Sequence, residues 1–182
     1  MNIQVIGLSG KSGTGKDYLF ENFIRVNGFH RWALADHFKI ATIGRSLATY
    51  EEVFYTKPPS VRKSLQRMGT EEGREIYGED IWLNTAKAWM QHLNINWNID
   101  KFCITDVRFP NEVEFVKNMG GKVIRINAPK RAEANSLSPE ARLHISETAL
   151  DNYTDFDYII ENDPEYASTV PAQIEVILKE IG

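Results

Sequence analysis

The segment Gly10-Lys11-Ser12-Gly13-Thr14-Gly15-Lys16-Asp17 constrains this chain more than any other, because three glycines and a lysine stand at fixed spacing between an apolar run and an amphipathic one. Glycine lets the backbone curl into conformations closed to other residues, so that successive N–H groups turn toward one point. A helix that starts at such a turn adds its positive end, and Lys16 adds a point charge. Upstream, Ile3 to Leu8 reads as a short buried strand. Downstream, Leu19, Phe20, Phe23 and Ile24 recur at helical spacing, with Gly28 as a stop. A plain Gly/Ser joint would serve without a lysine at this position. The pattern G-x-x-x-x-G-K in this context predicts a phosphate cradle built by Gly10, Lys11, Ser12, Gly13, Thr14, Gly15, Lys16 and Asp17.

Asp17 stands where Ser or Thr is usual after the lysine. A carboxylate there is a hard oxygen donor suited to Mg²⁺, directly or through water. It is equally suited to the dipole at the start of a helix, and both roles can hold at once.

Further strands are expected at Trp32 to Ala35, Phe102 to Thr105, Val123 to Ile126 and Tyr158 to Ile160, alternating with helical patterns. A short helix runs through Phe38, Ile40 and Ile43. Val61, Leu65 and Met68 form one helical stripe, and Trp82, Leu83, Ala86, Trp89, Met90 and Leu93 form another, with a break and N-cap at Gly78-Glu79-Asp80. A helix from Pro110 closes at Gly120-Gly121, and Val170, Ile174, Ile177, Leu178 and Ile181 stripe a terminal helix. Alternation of this kind implies an α/β fold with a five-stranded, mainly parallel sheet flanked by helices. A chain of 182 residues without repeats or Gly/Ser/Pro-rich linkers reads as one domain over residues 1–182. Within it, a helical region about 45–98 would hold an acceptor, and a polar stretch about 128–143 would be a mobile loop or small helical flap acting as a lid.

The net charge of −4 argues against holding nucleic acid polymer by general electrostatics. No apolar run approaches the roughly 20 residues of a bilayer span, and the N-terminus has no signal-peptide character. The single cysteine, Cys103, fits a reducing compartment.

Ligands of parallel sheets bind outside the carboxyl ends of the strands, which gives weight to Asp106 and Arg108 just past an apolar strand. Asp106 could hold Mg²⁺ or its waters, or accept a proton from the acceptor. Arg108 would stabilise charge on a phosphoryl group in transfer. A structural Asp–Arg pair at the strand end is the alternative, but the run from Asp106 to Glu112 is too polar to be only a strand-to-helix joint. Arg62, Lys63, Arg67 and Arg74 lie on or beside the first central helix, and Arg67 and Arg74, seven positions apart, would share a face. Guanidiniums there suit an acceptor phosphate; a solvated charged face would look the same. Asp36 is a candidate general base, with an N-cap role equally simple, and Lys39 would also face the crevice. The flap supplies Lys130, Arg131 and Arg142, since transfer must exclude water. His144 reads as a capping residue, and Glu147 as an orienting hydrogen-bond partner. Trp82 and Trp89 read as core, although Trp82 could stack on a base.

Taken in order, Gly15-Lys16-Asp17, Leu34-Ala35-Asp36-His37-Phe38-Lys39, Leu65-Gln66-Arg67-Met68-Gly69-Thr70-Glu71, Tyr77-Gly78-Glu79-Asp80-Ile81-Trp82, Thr105-Asp106-Val107-Arg108-Phe109-Pro110-Asn111-Glu112 and His144-Ile145-Ser146-Glu147 with Asp157 to Asn162 resemble the phage-type deoxynucleoside monophosphate kinases, a branch of the adenylate-kinase-like P-loop fold. His37 and Phe38 depart from the small and proline residues of that pattern. The resemblance implies ATP and Mg²⁺ in the cradle and the ATP base near Asn162. It also implies a deoxynucleoside monophosphate opposite, met by acceptor helices that include Gln66 and Thr70. A cytoplasmic enzyme, virus-encoded or bacterial and often a dimer, would follow. Animal phosphomevalonate kinases look similar in the cradle and the Asp-x-Arg strand end, so that acceptor is the alternative, and a protein that binds nucleotide without transfer is another.

Overall fold

A computed structural model describes residues 3–135 and 137–181, so residue 136 of the expected flap lies outside the described residues. Five strands, β1 (Gln4–Ser9), β2 (His30–Trp32), β3 (Lys101–Val107), β4 (Lys122–Asn127) and β5 (Tyr158–Glu161), form one sheet in the order β2-β3-β1-β4-β5. Every neighbouring pair is parallel. Parallel pairing sends all five carboxyl ends to one edge and places the crossover helices on the faces.

The helices are α1 (Lys16–Leu19), continued by a wider-wound Phe20–Ile24, then α2 (Ala35–Gly44), α3 (Pro59–Arg67), α4 (Ile81–Trp97) and α5 (Pro110–Asn118). After these come α6 (Pro129–Glu133), α7 (Pro139–Leu143), α8 (Ile145–Thr148) and α9 (Val170–Ile181). The period-2 alternation of β1 separates two cores. Ile6 and Leu8 pack with Leu19, Phe20 and Ile24 and with Val170, Ile174 and Ile177 of α9. Val5 packs on the opposite face with Leu83, Ala86 and Met90 of α4 and Val113 and Val116 of α5. A third, smaller cluster of Val53, Val61 and Leu65, joined by Phe38, Ile43 and Phe54, holds the α2–α3 region together.

Three expectations need correction. The second strand lies at His30–Trp32, and Ala35 already begins α2. Asp106, at the end of β3, explains the shift, since its carboxylate accepts the N–H groups of Leu34 (2.8 Å) and Ala35 (2.9 Å) and starts the helix there. Trp89, expected in the core, is 46% exposed and meets His92 edge to face. Ile40, on the stripe expected for α2, is 55% exposed. The stretch expected as flap carries α6 and α7, and the break after Gly78 is present with φ +99°. Among the described residues no helix is long and apolar enough to cross a membrane.

Candidate active site

β1 and β3 run in register from Gln4 opposite Lys101 to Gly7 opposite Ile104, but Ser9 lies opposite Val107. The extra residue on β3 sets Val107, rather than Asp106, beside Ser9, so Asp106 and Arg108 fall on either side of the point where the Gly10–Lys16 loop leaves β1. In the loop, Gly10, Gly13 and Gly15 take φ of +151°, +85° and +93°. At Gly15 a Cβ would lie 2.6 Å from Nδ2 of Asn162, so no larger residue fits. Asn162 is buried, and its Nδ2 donates to the Thr14 carbonyl at 2.8 Å. Thr14 Oγ1 in turn donates to the Lys11 carbonyl at 2.9 Å. The loop expected to be a phosphate cradle is thus a left-handed curl braced by Asn162.

Lys16 is buried, and its Nζ donates to the carbonyls of Gly10 (2.7 Å) and Lys11 (2.9 Å). Burial, followed by the nearby charge of Arg108, pushes its ammonium down to about 7. Glu147, at the end of the flap, links the loop to the strand end. One oxygen accepts the Ser12 N–H at 3.0 Å and the other takes Nη1 of Arg108 at 2.5 Å. Arg108 also donates to the Ser146 carbonyl at 3.1 Å. Asp106 and Arg108 therefore do not form the strand-end pair; each is held by a different element. His144 caps α8, its Nδ1 accepting the Ser146 N–H.

The loop opens on a hollow of about 450 Å³. Ser12, Gly13, Gly15, Lys16, Asp17, Asp106, Arg108 and Glu147 line one side, and Lys39, Arg62, Gln66, Thr70, Arg74 and Trp82 line the rest. Trp82 is anchored there by its Nε1, which donates to the Gly69 carbonyl at 2.8 Å, and its ring lies 5.3 Å from that of Phe38. Arg74 is buried and ion-paired with Glu112; its guanidinium stacks 4.0 Å over the Phe109 ring, and Nη1 donates to the Glu79 carbonyl at 3.0 Å. Burial raises the Glu112 carboxyl to about 7, the Arg74 charge and the N–H groups of Arg108 and Phe109 working against it.

Other expected site residues lie elsewhere. Arg67 pairs with Glu72 at 2.8 Å and is away from the hollow, because the chain winds wider over Met68–Glu75 and takes Arg67 and Arg74 off a common face. Arg142 donates to the carbonyls of Leu137, Ala132, Glu133 and Asn135, so its guanidinium ties the flap to itself. Asp36 is outside the lining, shared between Arg31 (2.6 Å) and Lys39 (2.8 Å). Its burial favours the neutral acid, but Lys39 and Arg31 outweigh that and hold the carboxyl below its usual range, an unfavourable setting for a general base. Arg131 sits at the outer side of the loop, its Nε donating to the Asn162 carbonyl at 2.5 Å. Among the described residues no three His, Cys, Asp or Glu side chains gather into a ready metal cluster. Sequence reasoning missed Arg31, Lys57, Phe109 and Glu112, all of which line the hollow. The Pro58-Pro59 corner after Lys57 was the one available signal for it.

A parallel sheet in this order with a glycine cradle at its carboxyl edge defines a P-loop kinase fold. Solved structures agree: TT1252 from Thermus thermophilus aligns over all of both chains with a TM-score of 0.60 at 17% identity. Shikimate kinase from Aquifex aeolicus aligns over 97% of this chain and 96% of its own at a TM-score of 0.50 and 14% identity. The family model for deoxynucleotide monophosphate kinase matches residues 44–169, and the chain belongs to that family. It is 27% identical, over 87% of its length and 88% of the other's, to an Acanthamoeba polyphaga mimivirus protein carrying the provisional name deoxynucleotide monophosphate kinase. It is 30% identical to an uncharacterized protein of Ictalurid herpesvirus 1, of which the alignment spans 65%. Over 67 residues, a quarter of that protein, it is 40% identical to the deoxynucleoside-5'-monophosphate kinase of Escherichia phage T5.

Proposed function

We propose that this protein transfers the γ-phosphate of ATP to deoxynucleoside monophosphates, giving the diphosphates. The observation that carries the reading is the convergence of the glycine cradle, Lys16 and Arg108 on one hollow that also has an aromatic wall. A Cβ at Gly10 or Gly15 would intrude on its neighbours, so the curl is open to glycine alone, and a glycine curl of this kind suits a triphosphate tail. Asn162 and Arg131 brace the outer end of that curl, where the base of ATP would lie. Asp17 and Asp106 supply hard oxygens beside the cradle, and a magnesium ion held there would neutralise charge on the transferring phosphates.

The residues of the chain do the remaining work by positioning and charge. Lys16 exchanges its two loop carbonyls for phosphate oxygens and regains its proton. Arg108, released from Glu147 or shared with it, stabilises the developing charge. Phe38, Trp82 and Phe109 give the acceptor a surface against which a ring can lie, with Gln66, Thr70 and Arg74 at its edge. The flap closes the mouth against water. The reading further places the protein in the cytoplasm, with a small-molecule partner, neither membrane nor nucleic acid polymer, and a homodimer as its assembly.

The test is ADP release with ATP and magnesium against separate deoxynucleoside monophosphates, their ribose counterparts and phosphomevalonate. Turnover should require a nucleoside monophosphate. Arg108→Ala should lower kcat by about 10²–10³-fold while ATP affinity changes little. Equal ADP release without any acceptor would make the protein a hydrolase and end the reading.

A further inference from the structure

Four cations line the side of the hollow formed by β2, α2 and α3: Arg31, Lys39, Lys57 and Arg62. A single carboxylate, Asp36, is in contact with them, and it is divided between Arg31 and Lys39. Among the described residues, neither Lys57 nor Arg62 has an ion-pair partner, although both are half-buried. The field of Asp17 also reaches Lys57 and Arg31, and that of Asp106 reaches Arg31, without an ion pair to either cation. On the reading above those two carboxylates face magnesium. Part-buried like charges left without a counterion repel one another, and folding tolerates them only where something else compensates.

Lys57 is placed there by strained backbone. It sits at φ +45°, a left-handed conformation that a residue with a Cβ adopts at a cost of about 1–2 kcal/mol. Its N–H closes the preceding turn on the Glu52 carbonyl at 2.9 Å, and Pro58 and Pro59 follow at once, so the corner has little freedom to relax. Strain of this kind persists where a side chain must be aimed. Burial and then the charge of Lys39, with Arg62 and Arg31 behind, push the Lys57 ammonium below its ordinary value, as expected for a cation that awaits an anion.

We propose that Lys57 and Arg62, backed by Arg31 and Lys39, form the station for the phosphomonoester dianion of the acceptor. The assignment rests on the kinase reading and deepens it. Arg62 offers a planar fork for two phosphate oxygens and Lys57 a point charge. The arginines that sequence spacing favours for this duty are engaged otherwise: Arg67 by Glu72, Arg74 by Glu112 and Arg142 by four carbonyls. With the station on the α2–α3 side and the cradle on the other, the two phosphates approach across the hollow, and the aromatic wall receives the base.

The experiment varies the monophosphate at saturating ATP in the wild type, Lys57→Ala, Lys57→Arg and Arg62→Ala. Melting temperatures establish that each variant is folded, and Lys57→Gln serves if the alanine variant is not. Loss of one charge-assisted contact should raise KM for the monophosphate roughly 10- to 100-fold. Lys57→Arg should recover most of the loss. Calorimetric titration should show ATP affinity within about two-fold of wild type, and should show that the wild type's preference for a monophosphate over its nucleoside collapses in Lys57→Ala. Unchanged KM in both alanine variants, with wild-type turnover intact, overturns the station and leaves the kinase reading standing. Turnover of a different phosphomonoester with the same Lys57 dependence overturns the nucleotide acceptor and keeps the station. If the wild type neither binds nor turns over any phosphomonoester, both fall.

Discussion

Glu112→Gln is the sharpest test of how the strand end that carries Arg108 is held. Glu112 is the first-turn acid of α5, with its side chain 4% exposed, and it makes three contacts: an ion pair to Arg74, whose side chain is 9% exposed, and hydrogen bonds from the N–H groups of Arg108 and Phe109. The amide retains one acceptor oxygen for the two backbone donors but leaves the guanidinium of Arg74 buried without its counter-charge. Arg74 Nε is already without a partner. Breaking one side of a buried pair costs about 3–5 kcal/mol. In a protein of this size that corresponds to a fall in Tm of about 6–20 °C. Differential scanning calorimetry at about pH 9, where a Glu112 carboxyl raised to about 7 is ionised, measures it, and Arg74→Met added to Glu112→Gln should restore part of the loss by removing the stranded charge. A Tm loss below about 3 °C, or a double variant no more stable than the single one, would refute the view that this pair is dry and mutually dependent.

Lys16 predicts a proton effect on nucleotide binding. Because burial and Arg108 hold its ammonium down to about 7, the free protein is mostly neutral at that site above neutrality, whereas a phosphate-bound lysine is charged. ATP binding at pH 8 should therefore take up about 0.9 proton, fading as pH falls below 7, read by calorimetry in buffers of different ionisation enthalpy. No uptake would mean that Lys16 does not charge on binding. The same depressed value makes the folded form bind fewer protons than the unfolded one between about 7 and 10.5, so this group's contribution to stability rises with pH across that window. Gly15→Ala should abolish ATP binding, since its Cβ would meet Asn162 at 2.6 Å on a left-handed backbone; a folded variant with wild-type ATP affinity would contradict the account of the cradle.

The parts legible in the sequence are those fixed by neighbours along the chain. The run Ile3 to Leu8, the glycine loop and the stripe after it specify one another within about two dozen residues, and the structure follows them. The start of α2 was not legible, because the residue that caps it, Asp106, lies 72 positions from Leu34. Arg67 and Arg74 were paired on an assumption of regular helical spacing that the wider winding of Met68–Glu75 removes. Lys57 reads as an ordinary surface lysine beside a proline pair until its left-handed corner is seen in space. Arg142 lies in a polar stretch where only the fold reveals that the flap's own carbonyls surround it. Asp106, Arg108 and Glu147 were recognisable as polar groups out of place, but that Glu147 bridges Ser12 to Arg108 depends on a separation of 135 residues.

Asp106, near the end of β3, and Arg108, just past it, are two positions apart, with buried Val107 between them in the cluster of Phe102 and Ile104. The two charged groups owe their facing to the bulge opposite Gly7–Ser9: Ile104 and Val107, three positions apart, share one core cluster, so closing the bulge would turn both charged groups inward and bring Val107 to the loop. Neither group can be re-aimed by shifting the strand without displacing the other, so a redesign of this edge has to alter side chains and leave the length of β3 alone.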